Sequence, residues 1–533
     1  MYRPDLTTGH ALRMGRSPCR LIFISLVLAF SDLALVTTAG ETSGVRFSYR
    51  PLLQATSRTL QLWVQSVNAQ TGQVVLNGVD TRSLTEAFTC DFGDGTTSKG
   101  WFPQKHTYAD TSRNYVVKVM SHYTDGSIDR AEVLVRFVGP SVHPLAVPDH
   151  LAVTIPDRSG VLASRMPGYR PSSRLTPMQA HCFDVVPREV IEYVLSLAAV
   201  IQIDLANGDV LSPDGNFGQI VLWDPALQGG GMYSLWYTTP VSFAASCDAM
   251  KGIVAYSSFF HEMGHNVTLN FPRDHHYGGK IDGNANAIYS ETMAQIFQHA
   301  TAYEMLNHAD AYGLSEDLAY DIAENATATF TVVRDAHTRY LHRDVEDRFS
   351  SWNNPNTPHD ETFDTFMTLA YKFIEHAELA NEGFRVPVQR LCRFLGCFDS
   401  QWRAQFSQHQ NSSFAESFRA TLMVAALSYA AETDLREEFK GLSFPIDDAT
   451  FEDLTGHAQS HMPRSETTFA DLVSLSEYWL TDGCSPLNNW CGGTDRNGSS
   501  FVDLPDYTIL AACWNEPKGP APLTQEFEHG FSD

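Results

Sequence analysis

The chain has 533 residues, 43% of them hydrophobic, which suffices for about two to four domains with sizeable cores. Sixty-two acidic residues against 37 basic ones give a formal net charge of -25. Nothing offers a basic stripe to neutralise phosphates, so the sequence argues against a nucleic-acid partner. At the N-terminus, Arg13, Arg16 and Arg20 precede the apolar runs LIFISLVLAF and LALV, and Thr37-Thr38-Ala39 offers small residues for cleavage. Residues 1–39 therefore read as an export signal, and the mature protein is expected to be secreted. Asp32 interrupts the apolar run and no other long one follows, so no membrane span is expected after signal removal.

Residues 45–138 read as β. VRFSYRPL, RTLQLWVQSV, GQVVLNGV, NYVVKVMSHY and AEVLVRFV alternate or are rich in β-branched residues, with Gly, Asp and Ser turns between them. In CDFGDGTTS, Asp91, Gly93, Asp94 and Gly95 make a tight turn after a strand, and His106 and Tyr108 enter the next strand. Turn geometry explains the two aspartates better than a metal loop does, because Asp and Gly are ordinary turn formers. This segment resembles a polycystic-kidney-disease (PKD) domain, which implies an immunoglobulin-like sandwich used as a spacer or binding module. Residues 139–175 are rich in Pro and Ser and read as a linker with some extended packing. Further on, Gly229-Gly230-Gly231 precedes MYSLWYTT, a strand with Tyr233, Trp236 and Tyr237. It is either an edge strand that pairs with a substrate backbone or a buried core strand.

His261-Glu262-Met263-Gly264-His265 sits in the apolar stretch SSFFHEMGHNVTLNF, which reads as a helix. Positions i and i+4 share a helix face, so both imidazoles can point at one ion, while Glu262 can reach a water on it. This is the HExxH arrangement of zinc hydrolases. A buried helix rarely carries such polar groups idly, since unpaired ones are costly. A third protein ligand is needed. The metzincin position is occupied by Phe271, so that pattern is excluded. AIYSETMAQIFQHATAYEM reads as a following helix, with Met293, Ile296, Phe297 and Ala300 as its apolar stripe, Ser290 as N-cap and Glu291 in its first turn. Glu291 is the expected third ligand, and Gln295 is placed to hydrogen-bond a ligand from behind. His275 and His276, in the loop PRDHHYGG, read first as surface-loop histidines, with a substrate-facing role next and the third ligand position as a further alternative.

HExxH followed by a distant helical Glu resembles a gluzincin peptidase. Downstream, a helical segment, then Asp434, Leu435 and Phe439 in a D-L-x-x-x-F stretch, then GLSFPI resemble the end of the enhancin-type, mucin-targeting peptidase domain. The resemblance covers roughly 176–450 and implies an α+β, mostly helical zincin domain over 176–455, acting on proteins or glycoproteins. In that reading a catalytic zinc is held by His261, His265 and Glu291, and Glu262 is the general base. His275, His276, Tyr277 and Tyr289 are the candidates for the donor that steadies the transition state.

The C-terminal part carries a repeat. FADLVSLSEYW and LPDYTILAACW align Asp471 with Asp506, Leu475 with Leu510 and Trp479 with Trp514, each pair offset by 35 residues. Asp495, Asn497, Ser499, Asp503 and Asp506 occupy positions 1, 3, 5, 9 and 12 of an EF-hand-like loop. Residues 465–518 resemble a dockerin, which implies a small paired-helix module, one calcium site at most and a cohesin-like scaffold as partner. The first copy lacks the ligands, so a cysteine-stapled fold without metal stays open.

Beyond Cys19 in the signal, eight cysteines remain, an even number that suggests disulfides in an exported protein. Cys392–Cys397 and Cys484–Cys491 are the expected local pairs, with Cys182–Cys247 a third. The function expected is that of a secreted zinc-dependent endopeptidase. Two alternatives stand beside it: a non-catalytic adhesion or scaffold protein with a vestigial zinc domain, and a zinc hydrolase of non-peptide amides or esters.

Overall fold

The computed structural model describes residues 60–153, 186–208, 253–268, 270–272, 287–351, 360–380, 383–399 and 412–461. It also describes short strands between 220 and 248, residues 402 and 405, and parts of 474–507. The chain divides into two compact units, Met1–Met462 and Pro463–Asp533. The first holds an all-β part followed by a mostly helical part. The expected export signal and the segment VRFSYRPL lie outside the described residues.

Among the described residues seven strands build the β part: β1 (Leu60–Asn68), β2 (Gln73–Asp80), β3 (Phe88–Asp91), β4 (Thr97–Gly100), β5 (Gln104–Thr107), β6 (Tyr115–His122) and β7 (Ile128–Val135). They form two antiparallel sheets, ordered β1-β2-β5 and β4-β3-β6-β7. Along β6, Tyr115, Val117 and Val119 point inward at every second residue and meet Leu60, Val74 and Phe88 in one core. The Asp91–Gly95 turn is built as its composition suggests. Asp91 accepts from the Gly93 amide at 3.0 Å, and Asp94 accepts from the Thr96 amide at 3.0 Å. Asp94 also meets His106 Nε2 at 2.7 Å.

The last strand starts three residues earlier than AEVLVRFV suggests. A tight turn at Gly126, with φ +83°, pairs Ile128 with His122 at once, so the ladder begins at the turn and ends at Val135. Arg136 then leaves the sheet, while Phe137 and Val138 donate their amides to Asn114 Oδ1 at 2.9 and 3.0 Å.

The helical part comprises α1 (Arg188–Leu205), α2 (Tyr256–Val267), α3 (Ala287–Asn307), α4 (Glu316–His342), α5 (Asp360–Ala380), α6 (Arg385–Gly396), α7 (Ser413–Ala430), α8 (Arg436–Gly441) and α9 (Asp448–His461). Helix α3 is its axis and packs against α1, α2, α4, α5 and α6. Ile288, Met293, Ile296, Phe297, Ala300 and Met305 spread around its circumference and are all buried, as a helix apolar on every side requires. Among the described residues, two short pairs run between α1 and α2: β8 (Ile220–Trp223) with β9 (Thr238–Val241), parallel, and β10 (Cys247–Asp248) with β11 (Ile253–Val254), antiparallel. The strand expected over Tyr233, Trp236 and Tyr237 lies outside the described residues, immediately before β9.

The two parts are tied together. Arg136 is ion-paired with the buried Asp321 of α4, and Asn114 donates to Asp317 at 3.2 Å. Residues 139–153 lie along the helices: the His143 amide donates to Gly313 O at 2.8 Å and the Val153 amide to Ser196 Oγ at 2.8 Å. Gly313 takes φ +66°, and a Cβ there would stand 2.1 Å from His143 O, so only glycine fits that contact.

One expectation about the cysteines needs correction. Cys392 and Cys397 form no disulfide with each other. Five positions apart at the end of α6 they point about 140° away from one another around the helix; Cys392 is buried, while Cys397 donates to Arg393 O at 3.2 Å. Asn325, in an Asn-Ala-Thr sequence, is buried in α4 and its Nδ2 donates to Asp321 O at 2.9 Å. Cys182 lies outside the described residues. Cys90 is a buried thiol in the β core, and burial pushes its pKa up to about 11.

In the second unit the Cys484–Cys491 disulfide forms as expected. Both cysteines pack with Leu475 and Val502. Asp495, Asn497, Ser499, Asp503 and Asp506 lie outside the described residues. Among the described residues no helix is long and apolar enough to cross a membrane.

Candidate metal centre

Helix α2 forms because Tyr256–Asn266 contains neither proline nor a β-branched residue, and all twelve residues of the helix are buried. It ends at Thr268, whose amide and hydroxyl both donate to Gly264 O, at 3.0 and 2.8 Å. Helix α3 runs back antiparallel across it. The crossing is close because Gly264 presents no side chain: a Cβ there would lie 3.2 Å from Ala294 Cα and from Phe297 Cβ.

That approach brings Glu291 to both histidines. Its Oε2 lies 3.3 Å from His261 Nε2 and 3.6 Å from His265 Nε2. The imidazoles stand perpendicular, with ring centres 4.7 Å apart, as one helical turn dictates. One ligand atom from each of the three residues lies within 4.8 Å of the others, and this group could hold a metal ion. His261 and His265 are almost wholly enclosed, while 28% of the Glu291 side chain stays accessible, so the set is open on the carboxylate side.

The charges respond to one another. Burial alone would depress the His261 pKa, but Glu291, Glu262 and Gln295 outweigh it and raise the pKa above the usual histidine value. Burial would raise Glu291; the two histidines reverse that and hold it below the usual carboxylate range. Gln295 thus stands beside His261, one turn along α3 from Glu291. Glu262 is buried next to His261 and turned about 100° from it around α2.

Ser290 is not an N-cap. Helix α3 begins at Ala287, and Ser290 lies inside it, with Oγ 2.9 Å from His265 Nδ1. This bond fixes the ring so that Nε2 faces Glu291. The sequence signal for it is adjacency: the residue before a ligand on an antiparallel helix falls opposite the other ligand helix.

Tyr289 is two positions from Glu291, hence about 160° around α3 from it. Its phenol is buried, which raises its pKa; Arg419 opposes the shift and Glu416 adds to it. Arg419 is itself fully buried, donating from Nε to Ser351 Oγ at 2.5 Å, and Ser351 Oγ donates to Glu416 at 2.7 Å. Arg419 and Glu416 of α7 thus shape the electrostatic surroundings of Tyr289. His275, His276 and Tyr277 lie outside the described residues.

No family model matches the chain, and no curated protein matches it. A solved structure of a mutant of a functionally unknown conserved protein from Bacillus anthracis str. Ames aligns at 11% identity. It covers 75% of this chain and 78% of that one with a TM-score of 0.31, a likeness too slight to argue from.

Proposed function

We propose that the protein is a secreted zinc-dependent endopeptidase whose centre is His261, His265 and Glu291, with Glu262 as general base. The observation that carries this reading is the spacing of the three donors. Ligand atoms about 2.0–2.1 Å from a tetrahedral zinc stand about 3.3 Å apart. Glu291 Oε2 lies 3.3 and 3.6 Å from the two Nε2 atoms. Two imidazole nitrogens and a carboxylate are also a donor set that suits zinc in its catalytic sites, where a fourth position stays open.

A zinc ion held by His261, His265 and Glu291 would supply Lewis acidity and would make water easier to deprotonate near neutral pH. The chain supplies the rest. Ser290 keeps the His265 ring turned toward the centre. Gln295 does the same for His261. Glu262 takes the proton from water as it attacks the scissile carbonyl and returns it to the leaving amine. His275, His276 and Tyr277 remain the proposed donors to the oxyanion.

Glycoproteins, including mucin-type ones, are the proposed substrates, on the enhancin-like resemblance. The two-sheet β part is proposed to be PKD-like. The second unit is proposed to be dockerin-like, taking calcium through Asp495, Asn497, Ser499, Asp503 and Asp506 and binding a cohesin-like scaffold. The deciding experiment digests a glycoprotein mixture with wild-type protein and Glu262→Gln, mapping fragments by mass spectrometry and measuring zinc in both. Wild type should cleave with one zinc per chain, and Glu262→Gln should keep the zinc and lose turnover. Metal-free protein with full activity would sink the reading.

A further inference from the structure

Behind the metal centre, α1, α2 and α3 meet at a polar junction. Gln202 of α1 donates from Nε2 to Phe260 O at 2.7 Å and to Thr301 Oγ1 at 3.2 Å, pinning the three helices together. Phe260 is one turn from Ser257, and Thr301 is one turn from Gln298. Gln202, Ser257, Gln295, Gln298 and His299 are all buried. Six of their polar atoms meet no hydrogen-bonding partner: Gln202 Oε1, Ser257 Oγ, the Nε2 atoms of Gln295 and Gln298, and both ring nitrogens of His299.

A protein core seldom leaves so many polar atoms dry. Internal water, making two to four hydrogen bonds per molecule, is the usual partner of such groups. The chemistry of each group suits it. Burial, with the charge of His261 nearby, pushes the His299 pKa down to about 3, so the ring is neutral and offers one N–H and one lone pair. Its ring stands edge-on to Phe330, which fills its far side with carbon. Gln295, one turn before His299, uses its oxygen on His261, because only that atom can accept from the imidazole. Its Nε2 is left to donate inward, away from the centre.

We propose that ordered water lies between Gln295 and His299, which share one face of α3, and that His299 is a positioning residue of the metal centre. It steadies Gln295 through that water, and Gln295 steadies His261. The inference rests on the metal reading of His261, His265 and Glu291. It assigns a task to a histidine that otherwise belongs to the core alone.

The test measures zinc affinity by competition with a chromophoric chelator for the full-length wild type, His299→Leu and His299→Gln, with thermal melts of each zinc-free protein. A residue that only packs should behave simply: His299→Leu relieves orphaned nitrogens, melts no lower, and binds zinc as wild type does. That outcome overturns the proposal. The proposal expects His299→Leu to weaken zinc binding about tenfold, as loss of an outer partner of a ligand does. His299→Gln, which keeps a donor and an acceptor, should recover most of it. Should His299→Leu fail to fold, a high-resolution crystal structure of the wild type decides. Water between His299 and Gln295 sustains the proposal; a dry junction or a direct bond between them ends it. A wild type that binds no zinc at all would instead bring down the metal reading, a result separate from any difference among the variants.

Discussion

Gly264 and Ala294 touch across the α2–α3 crossing, so closely that a Cβ on Gly264 would stand 3.2 Å from Ala294 Cα and 3.3 Å from its carbonyl oxygen. The candidate ligands lie on both sides of this contact: His265 beside Ser290, and His261 beside Glu291 and Gln295. Helix separation and ligand spacing are thus one quantity. Gly264→Ala gains about 1 kcal/mol in helix propensity, but its methyl meets backbone, which yields less readily than a side chain. The expected net result is a loss of about 1–3 kcal/mol, as for other overpacked cores, with weaker zinc binding. Urea denaturation of the zinc-free protein and a chelator competition check both. A variant as stable and as tight as wild type would mean that the crossing has slack.

Ser290→Ala removes the hydroxyl that holds His265 Nδ1 at 2.9 Å. Free to rotate, the imidazole no longer presents Nε2 to the centre. Zinc affinity should fall about 10- to 100-fold, while the fold persists, since alanine suits a helix interior. Equal affinity for both proteins would show that packing alone orients the ring.

Two buried histidines make stability depend on pH. Burial and the charge of His261 push His299 down to about 3, and burial with Lys372 pushes His337 down to about 4, against 6.5 in the unfolded chain. Between those values the unfolded state binds the protons and the folded state does not. Stability is therefore present above pH 6.5 and falls as pH drops below it, by about 1.4 kcal/mol per pH unit from each histidine. Denaturation of zinc-free protein from pH 6.5 to 4 should show this slope, and His337→Gln should reduce it by one proton. An unchanged slope would mean that His337 is charged in the folded state.

Arg136 carries the charge that joins the β part to α4. Asp321, its partner, is almost wholly inaccessible, and Asp317 and Glu324 add to the negative field around it. Arg136→Met should cost about 3–5 kcal/mol, because it strands a buried carboxylate. Adding Asp321→Asn should recover part of the loss. Unfolding of single and double variants measures the coupling, and additive losses would show that the two residues do not interact.

The spacing of His261 and His265 made the candidate metal-binding helix legible, because a period of one turn is written directly in the residues. Glu291 was legible through the apolar stripe of Met293, Ile296, Phe297 and Ala300. What escaped depended on partners distant in sequence. Ser290 resembled a cap because serines favour that place; only the meeting with His265 shows otherwise. Asn325 sits in an Asn-Ala-Thr sequence, yet tertiary packing buries the helix face that carries it. Cys392 and Cys397 are near in sequence but diverge around a helix. The turn aspartates Asp91 and Asp94 were readable because their bonds are made within two residues.

The Arg136 contact also bears on how such a chain can be rebuilt. A module hung on a bare tether can be exchanged for any other with free ends. Here the helices present an acidic socket, and whatever replaces the sandwich must bring a guanidinium to the same spot, or the socket must lose its carboxylates in the same step. Shuffling this protein is accordingly a two-sided edit, and a one-sided graft would leave the helical half with an exposed wound of negative charge.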